Sequence, residues 1–157
     1  MWHPKIVTLE EKRVIGKRLR MSLANNKTFE LWRSFMQERG SVQNKICDEL
    51  ISMRVYDEPL RMEPHQEFDK WAAIEVSDFS YVPDGMESFI LNKGLYAVFD
   101  YKGLNTDNRI FIYIFTEWLP NSGYILDDRP HFEILGEKYR NNDPESEEEI
   151  WVPIQPT

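Results

Sequence analysis

A chain of 157 residues, 41% hydrophobic and 13% aromatic, has the length of one domain and enough apolar content to bury a core, which excludes disorder. Its 19 Lys and Arg against 27 Asp and Glu leave a net charge of −8, which repels phosphate backbones and gathers cations, so direct nucleic-acid binding is not expected. One cysteine, Cys47, excludes an internal disulfide and a thiolate metal centre, and the longest apolar run, Ile110 to Phe115, is too short to cross a bilayer. The start of the chain has no basic, apolar leader, so a cytoplasmic protein with no membrane attachment is expected.

From Ile6 to Met21, the residues Val7, Leu9, Val14, Ile15 and Leu19 recur among charges and predict a strand or hairpin, with Gly16 marking a bend or bulge. Asn25, Asn26 and Thr28 supply helix-start chemistry, Phe29, Trp32, Phe35 and Met36 follow at helical spacing, and Gly40 closes the helix. Ser41 to Asp48 is ambiguous. Leu50 to Tyr56 and Trp71 to Phe79 have the β-branched and aromatic content of strands, with a charged, proline-containing loop from Asp57 to Lys70 between them. Pro83-Asp84-Gly85 predicts a tight turn. Beyond it come a strand from Leu95 to Tyr101 and a cap at Asn105 or Thr106. An aromatic segment follows, in which Phe111, Ile114, Phe115, Trp118 and Leu119 keep helical spacing. Strands from His131 to Leu135 and Ile150 to Ile154 close the chain, joined by an acidic loop from Asn141 to Glu148.

The two halves repeat one order: strand, cap, helix with one tryptophan, then two strands. Each alone is too small to bury an amphipathic helix, so two such units should share a sheet. The expected fold is α+β, a single domain over residues 1–157 with pseudo-repeats at about 4–80 and 86–155. Two strand-helix-strand-strand units would be related by a pseudo-twofold, with helices packed on a mostly antiparallel sheet and a cleft at the seam.

No constellation for metal, nucleotide or nucleophilic chemistry stands out. His3, His65 and His131 lack ligand spacing, the seven glycines form no phosphate loop, and Cys47 has no activating neighbour beyond Lys45. No cofactor, metal or catalytic residue is assigned. The acidic run from Asp143 to Glu149 lacks the glycine of a calcium loop and reads as solvated loop. The aromatics Trp32, Trp71, Trp118 and Trp151, with Tyr56, Tyr96 and Phe132, recur at equivalent places in both halves; most are expected to be core, and a minority lining the cleft would give it a π-rich wall for a cation. Glu133, in the otherwise apolar Phe132-Glu133-Ile134-Leu135, either faces solvent on an alternating strand or faces inward as a carboxylate kept for a purpose.

Several short motifs occur in order along the chain: Trp71-Ala72-Ala73-Ile74-Glu75-Val76, Val82-Pro83-Asp84-Gly85-Met86, Tyr96-Ala97-Val98-Phe99 ending at Gly103, and Trp118-Leu119-Pro120-Asn121-Ser122-Gly123-Tyr124. Phe132-Glu133 and Ile150-Trp151-Val152-Pro153-Ile154 complete them. Together they resemble the GyrI-like small-molecule-binding domain, which is also the effector domain of AraC-type and MerR-type multidrug regulators. The resemblance implies a groove between the repeats for hydrophobic, often cationic and aromatic, compounds. It also implies a glutamate on a strand of the second repeat as the cation's charge partner, here Glu133. With no helix-turn-helix in the sequence, a standalone binding or drug-sequestering protein is expected. The alternatives are a hydrolase of reactive small molecules, for which Glu75 is a second carboxylate by symmetry, and an interaction module whose partner is gyrase or a regulator.

Overall fold

The computed structural model describes residues 2–157; Met1 lies outside the described residues. Its elements in chain order are β1 (Lys5–Leu9), β2 (Lys12–Ser22), α1 (Thr28–Glu38), β3 (Leu50–Val55), β4 (Glu67–Val76), β5 (Glu87–Leu91) and β6 (Gly94–Lys102). They continue with α2 (Arg109–Tyr113), β7 (Tyr124–Leu126), β8 (His131–Leu135) and β9 (Glu147–Pro156). Past Tyr113, α2 runs on through a π turn, Ile114–Trp118, and a 3-10 turn, Leu119–Asn121. Among the described residues the nine strands form one antiparallel sheet in the order β1-β6-β9-β8-β3-β4-β2-β5, with β7 beside β9.

That order is symmetric about its centre. The four strands β1, β6, β9 and β8 mirror β5, β2, β4 and β3, so the α+β architecture of two matching halves is as the sequence predicts. The outer strands are exchanged between halves: β1 pairs with β6 of the second, and β5 pairs with β2 of the first. Ile6 to Met21 is therefore not a hairpin. β1 and β2 lie near opposite ends of the sheet yet are joined by Glu10 and Glu11 alone, and β5 and β6 by Asn92 and Lys93 alone. Connections that short require the sheet to bend until its two ends approach. Gly16 keeps regular pairing with Ala73 and Glu87, so it is not a bulge. A Cβ there would come within 2.7 Å of Ala73 Cα, which makes Gly16 a point of close backbone approach.

The bend encloses one face. Val14, Ile51, Met53, Trp71, Tyr96, Val98, Phe132 and Ile134 form a buried cluster on the side without helices, joined by Leu9 of β1 and Leu91 of β5. The helices cover the other face. Leu31 and Phe35 of α1 pack on Ile15, Met21, Ala72, Ile74 and Val76, and Ile110 and Ile114 pack on Ala97, Phe99, Ile150 and Val152. The buried stripe of α1 is thus Leu31 and Phe35, while Phe29 is 77% exposed. Asn26 Oδ1 accepts the Thr28 N–H at 2.9 Å, as its position predicts. At the second helix Asp107, not Asn105 or Thr106, accepts the Arg109 N–H at 3.0 Å. Residues 67–70 belong to β4 instead of the preceding loop, because Phe68 and Lys70 continue its alternation into the interior.

Candidate ligand-binding site

The centre of the sheet is the β3–β8 ladder, where Ser52 pairs with Glu133 and Arg54 with His131. Alternation divides each strand. Ile51, Met53, Phe132 and Ile134 enter the helix-free cluster. Leu50, Ser52, Arg54, His131, Glu133 and Leu135 therefore point to the helix side, onto the strip of sheet between α1 and α2. The neighbouring strands add Lys70, which alternates with buried Phe68 and Ala72, and Glu148, which alternates with buried Ile150.

Glu133 faces inward. Its Oε1 lies 3.7 Å from Arg54 Nη2, with 17% and 23% of the two side chains exposed. That separation is an ion pair but too long for a hydrogen bond. The Arg54 guanidinium lies between two rings, 5.8 Å from the centre of Phe68 and 5.4 Å from that of Phe111. His131 packs edge-on against Tyr56 at 5.5 Å and against Phe115 at 6.2 Å. Phe111 and Phe115, one helical turn apart, thus face the strip from α2. On α1, Ser34 and Glu38 both reach Lys17 of β2, on the far side of the helix.

Burial sets the protonation of this strip. Glu148 lies against Glu133, and loss of hydration together with that second carboxylate pushes its acid well above the usual range, so it holds its proton at neutral pH. Burial, reinforced by the Arg54 charge, lowers Lys70 to about 8. His131 is lowered to about 3 by burial, with Arg54 and Arg129 adding to it, and is neutral. A carboxylic acid beside a carboxylate, flanked by two cations and walled by rings, can hold a polar aromatic molecule or pass it a proton.

The structure separates the sequence-predicted site residues. Glu133 lies on the strip, while Trp32 of α1 is partly buried and packs edge-on against Phe35 at 5.8 Å. Trp71, Tyr96 and Trp151 lie on the opposite face, where Tyr96 contacts Phe132 and Trp151 edge-on at 5.3 Å and 5.7 Å and Phe132 stacks on Trp151. Odd residues of β4 and β9 point away from the helices, which is why these rings are core. Trp118 is partly buried and packs away from the strip: it meets Phe99 edge-on at 5.3 Å and stacks on Tyr124, over β6 and β7. Glu75 also points to the helix-free side and pairs with Lys12 at 3.0 Å, so the carboxyl group beside Glu133 is Glu148, not Glu75. The solvated-loop reading of Asp143 to Glu149 is corrected at its end, where Glu147 to Glu149 are the start of β9. Tyr56, one of the candidate aromatics, reaches the strip beside His131, whereas Arg54, Lys70, Phe68, Phe111, Phe115 and His131 were not expected here. The one signal for Arg54, Phe68 and Lys70 is the period-two alternation of β3 and β4, which by itself reads as a solvent face.

A pseudo-symmetric sheet with one helix on each half and a polar, aromatic strip between them is the build of an effector-binding domain. The chain belongs to the family of integron-associated effector-binding proteins, whose pattern matches residues 5–154. It is 27% identical over 154 residues to the transcriptional regulator BrlR of Pseudomonas aeruginosa, covering 97% of this chain and 55% of that one. It therefore spans about half the length of that relative. The fold is shared with an integron cassette protein from the mobile metagenome of Vibrio cholerae, with TM-score 0.70 and 15% identity over 98% of this chain and 96% of that one. SAV2435, solved bound to tetraphenylphosphonium, has TM-score 0.69 and 14% identity over 98% and 94% of the two chains. No described helix is long and apolar enough to cross a membrane.

Proposed function

We propose that this chain binds a hydrophobic, aromatic small molecule bearing positive charge in a cleft between α1 and α2, with Glu133 on the floor as its charge partner. The supporting observation is an inward carboxylate, 17% exposed, on a strip walled by Tyr56, Phe111 and Phe115. A partly desolvated carboxylate attracts a cation more strongly than an exposed one does, and the rings add contact with its flat faces. The tetraphenylphosphonium held by SAV2435 is a ligand of that chemistry on the same fold.

The test is Glu133→Gln, which keeps the shape and removes the charge. Affinity for a cationic dye, the methyl ester of rhodamine B, should fall roughly tenfold or more, equivalent to about 1.4 kcal/mol, with a neutral aromatic of similar size nearly unaffected. Equal dye affinity for the variant and the parent by fluorescence anisotropy at matched salt would sink the assignment.

Glu148 supports a second reading, hydrolysis of a strained electrophile. A protonated acid touching a carboxylate is a donor and acceptor pair for general acid and base steps. Incubation with strained electrophiles followed by mass spectrometry checks it: conversion by the parent should vanish in Glu148→Gln. Intact substrate with the parent removes the hydrolase and leaves binding.

A further inference from the structure

The strip holds more positive charge than a site for a lone cation requires. Lys70 is opposite Arg54 in the β3–β4 ladder, so two cationic side chains occupy neighbouring positions on one face. Lys70 is 8% exposed, and among the described residues its ammonium makes no ion pair and no side-chain hydrogen bond. Its acidic neighbours are the Glu133 and Glu148 carboxyl groups, which attract the ammonium without closing an ion pair with it. Glu148 keeps its proton, and Glu133 already faces Arg54 at 3.7 Å. Arg54 is held in place by the rings of Phe68 and Phe111, its fork toward the strip. A fixed guanidinium next to an unmatched ammonium is the donor set that recognises a planar anion.

We propose that the ligand of this site is amphoteric: an aromatic compound whose carboxylate is held by Arg54 and Lys70 and whose cationic group is held by Glu133. This deepens the assignment of the strip as a ligand cleft and rests on it. A carboxylate seated on Arg54 draws the guanidinium away from Glu133 and frees that residue for the ligand's cation, so the two ends of the ligand reinforce each other. A ligand with positive charge alone competes with Arg54 for Glu133 and leaves Lys70 unmatched.

Rhodamine B and its methyl ester share one xanthylium cation and differ only in the free carboxylate. Titrated against the intact chain by fluorescence anisotropy at matched salt, rhodamine B should bind at least tenfold more tightly than the ester. Lys70→Met, which removes a charge without breaking an ion pair, should keep the fold by circular dichroism and melting. It should cost rhodamine B tenfold or more in affinity, while affinity for the ester holds or rises. Lys70→Gln provides the same comparison if the methionine variant misfolds. An ester that binds as tightly as the acid, or a Lys70 variant that weakens both dyes equally, overturns the amphoteric assignment and leaves the cleft standing. Failure of both dyes to bind the parent overturns the cleft and this inference with it.

Discussion

His131 shows what burial costs a single titratable side chain. Packed between Tyr56 and Phe115 and opposite Arg54, its imidazole is neutral in the folded chain, with a pKa drawn down to about 3. The unfolded chain takes up a proton below about pH 6.5 that the folded chain refuses, so this contribution to stability is complete above that value and is lost as pH falls toward 3. Between pH 7 and 5 the loss is up to about 2 kcal/mol. His131→Gln should lower the melting temperature less on that acidification than the parent does; equal losses would show that another group titrates. Glu148 works in the opposite sense. Its folded-state acid is raised, so the stability it contributes is present at low pH and is lost as pH rises through the raised value. Glu148→Gln, which mimics the protonated acid, should melt higher than the parent at pH 8, with the gain shrinking toward pH 4. A variant less stable than the parent at pH 8 would refute this.

The second helical segment separates a wall from a core within a few residues. Ile110 and Ile114 face the sheet, and Phe111 and Phe115 face the strip. The π turn from Ile114 to Trp118 widens the helix before it reaches Trp118, which is delivered over Phe99 and Tyr124. Trp118→Ala should therefore cost up to about 3 kcal/mol of stability, read by urea unfolding, with no ligand-specific loss. Phe115→Ala should weaken dye binding with a smaller loss of stability, since its ring meets His131 across the strip while that of Trp118 packs on Phe99 and Tyr124. The reverse pattern would exchange their roles. Aromatic spacing alone could not make this distinction, because all five apolar positions fit one helical stripe and only the neighbouring strands decide which rings they meet.

At the scale of the whole molecule, strand exchange ties the halves together. β1 finds its pairing partner in the second half and β5 in the first, and the β3–β8 ladder joins them at the centre. Neither half carries a complete set of strands for its own sheet, so a chain cut at the Pro83-Asp84-Gly85 turn should yield two fragments that are each unfolded alone. The turn itself is real, with Gly85 at φ +82 and the Met86 N–H bonded to the Pro83 carbonyl. Mixed in equal amounts, the fragments should regain a β-rich circular dichroism spectrum and a cooperative melt. A fragment that folds by itself would show that the exchanged strands are dispensable.

Local composition and periodicity determined the element types, their order and their repetition. Alternating β-branched residues, an Asn-Thr helix start and a Pro-Asp-Gly turn act over a few residues and need no partner to be legible. They also located Glu133, because one carboxylate in an apolar strand is conspicuous wherever the strand lies. Partners were set by tertiary structure. β5 and β7, short and weakly patterned, are strands because β2 and β9 offer them ladders. Which face of a strand counts as interior depends on which side the helices cover and how the sheet bends. The same alternation therefore sent Trp71, Tyr96 and Trp151 into the helix-free core and brought Arg54, Lys70, His131 and Glu148 to Glu133. Those side chains lie far apart in sequence, and only the pairing order β4-β3-β8-β9 gathers them on one strip of sheet.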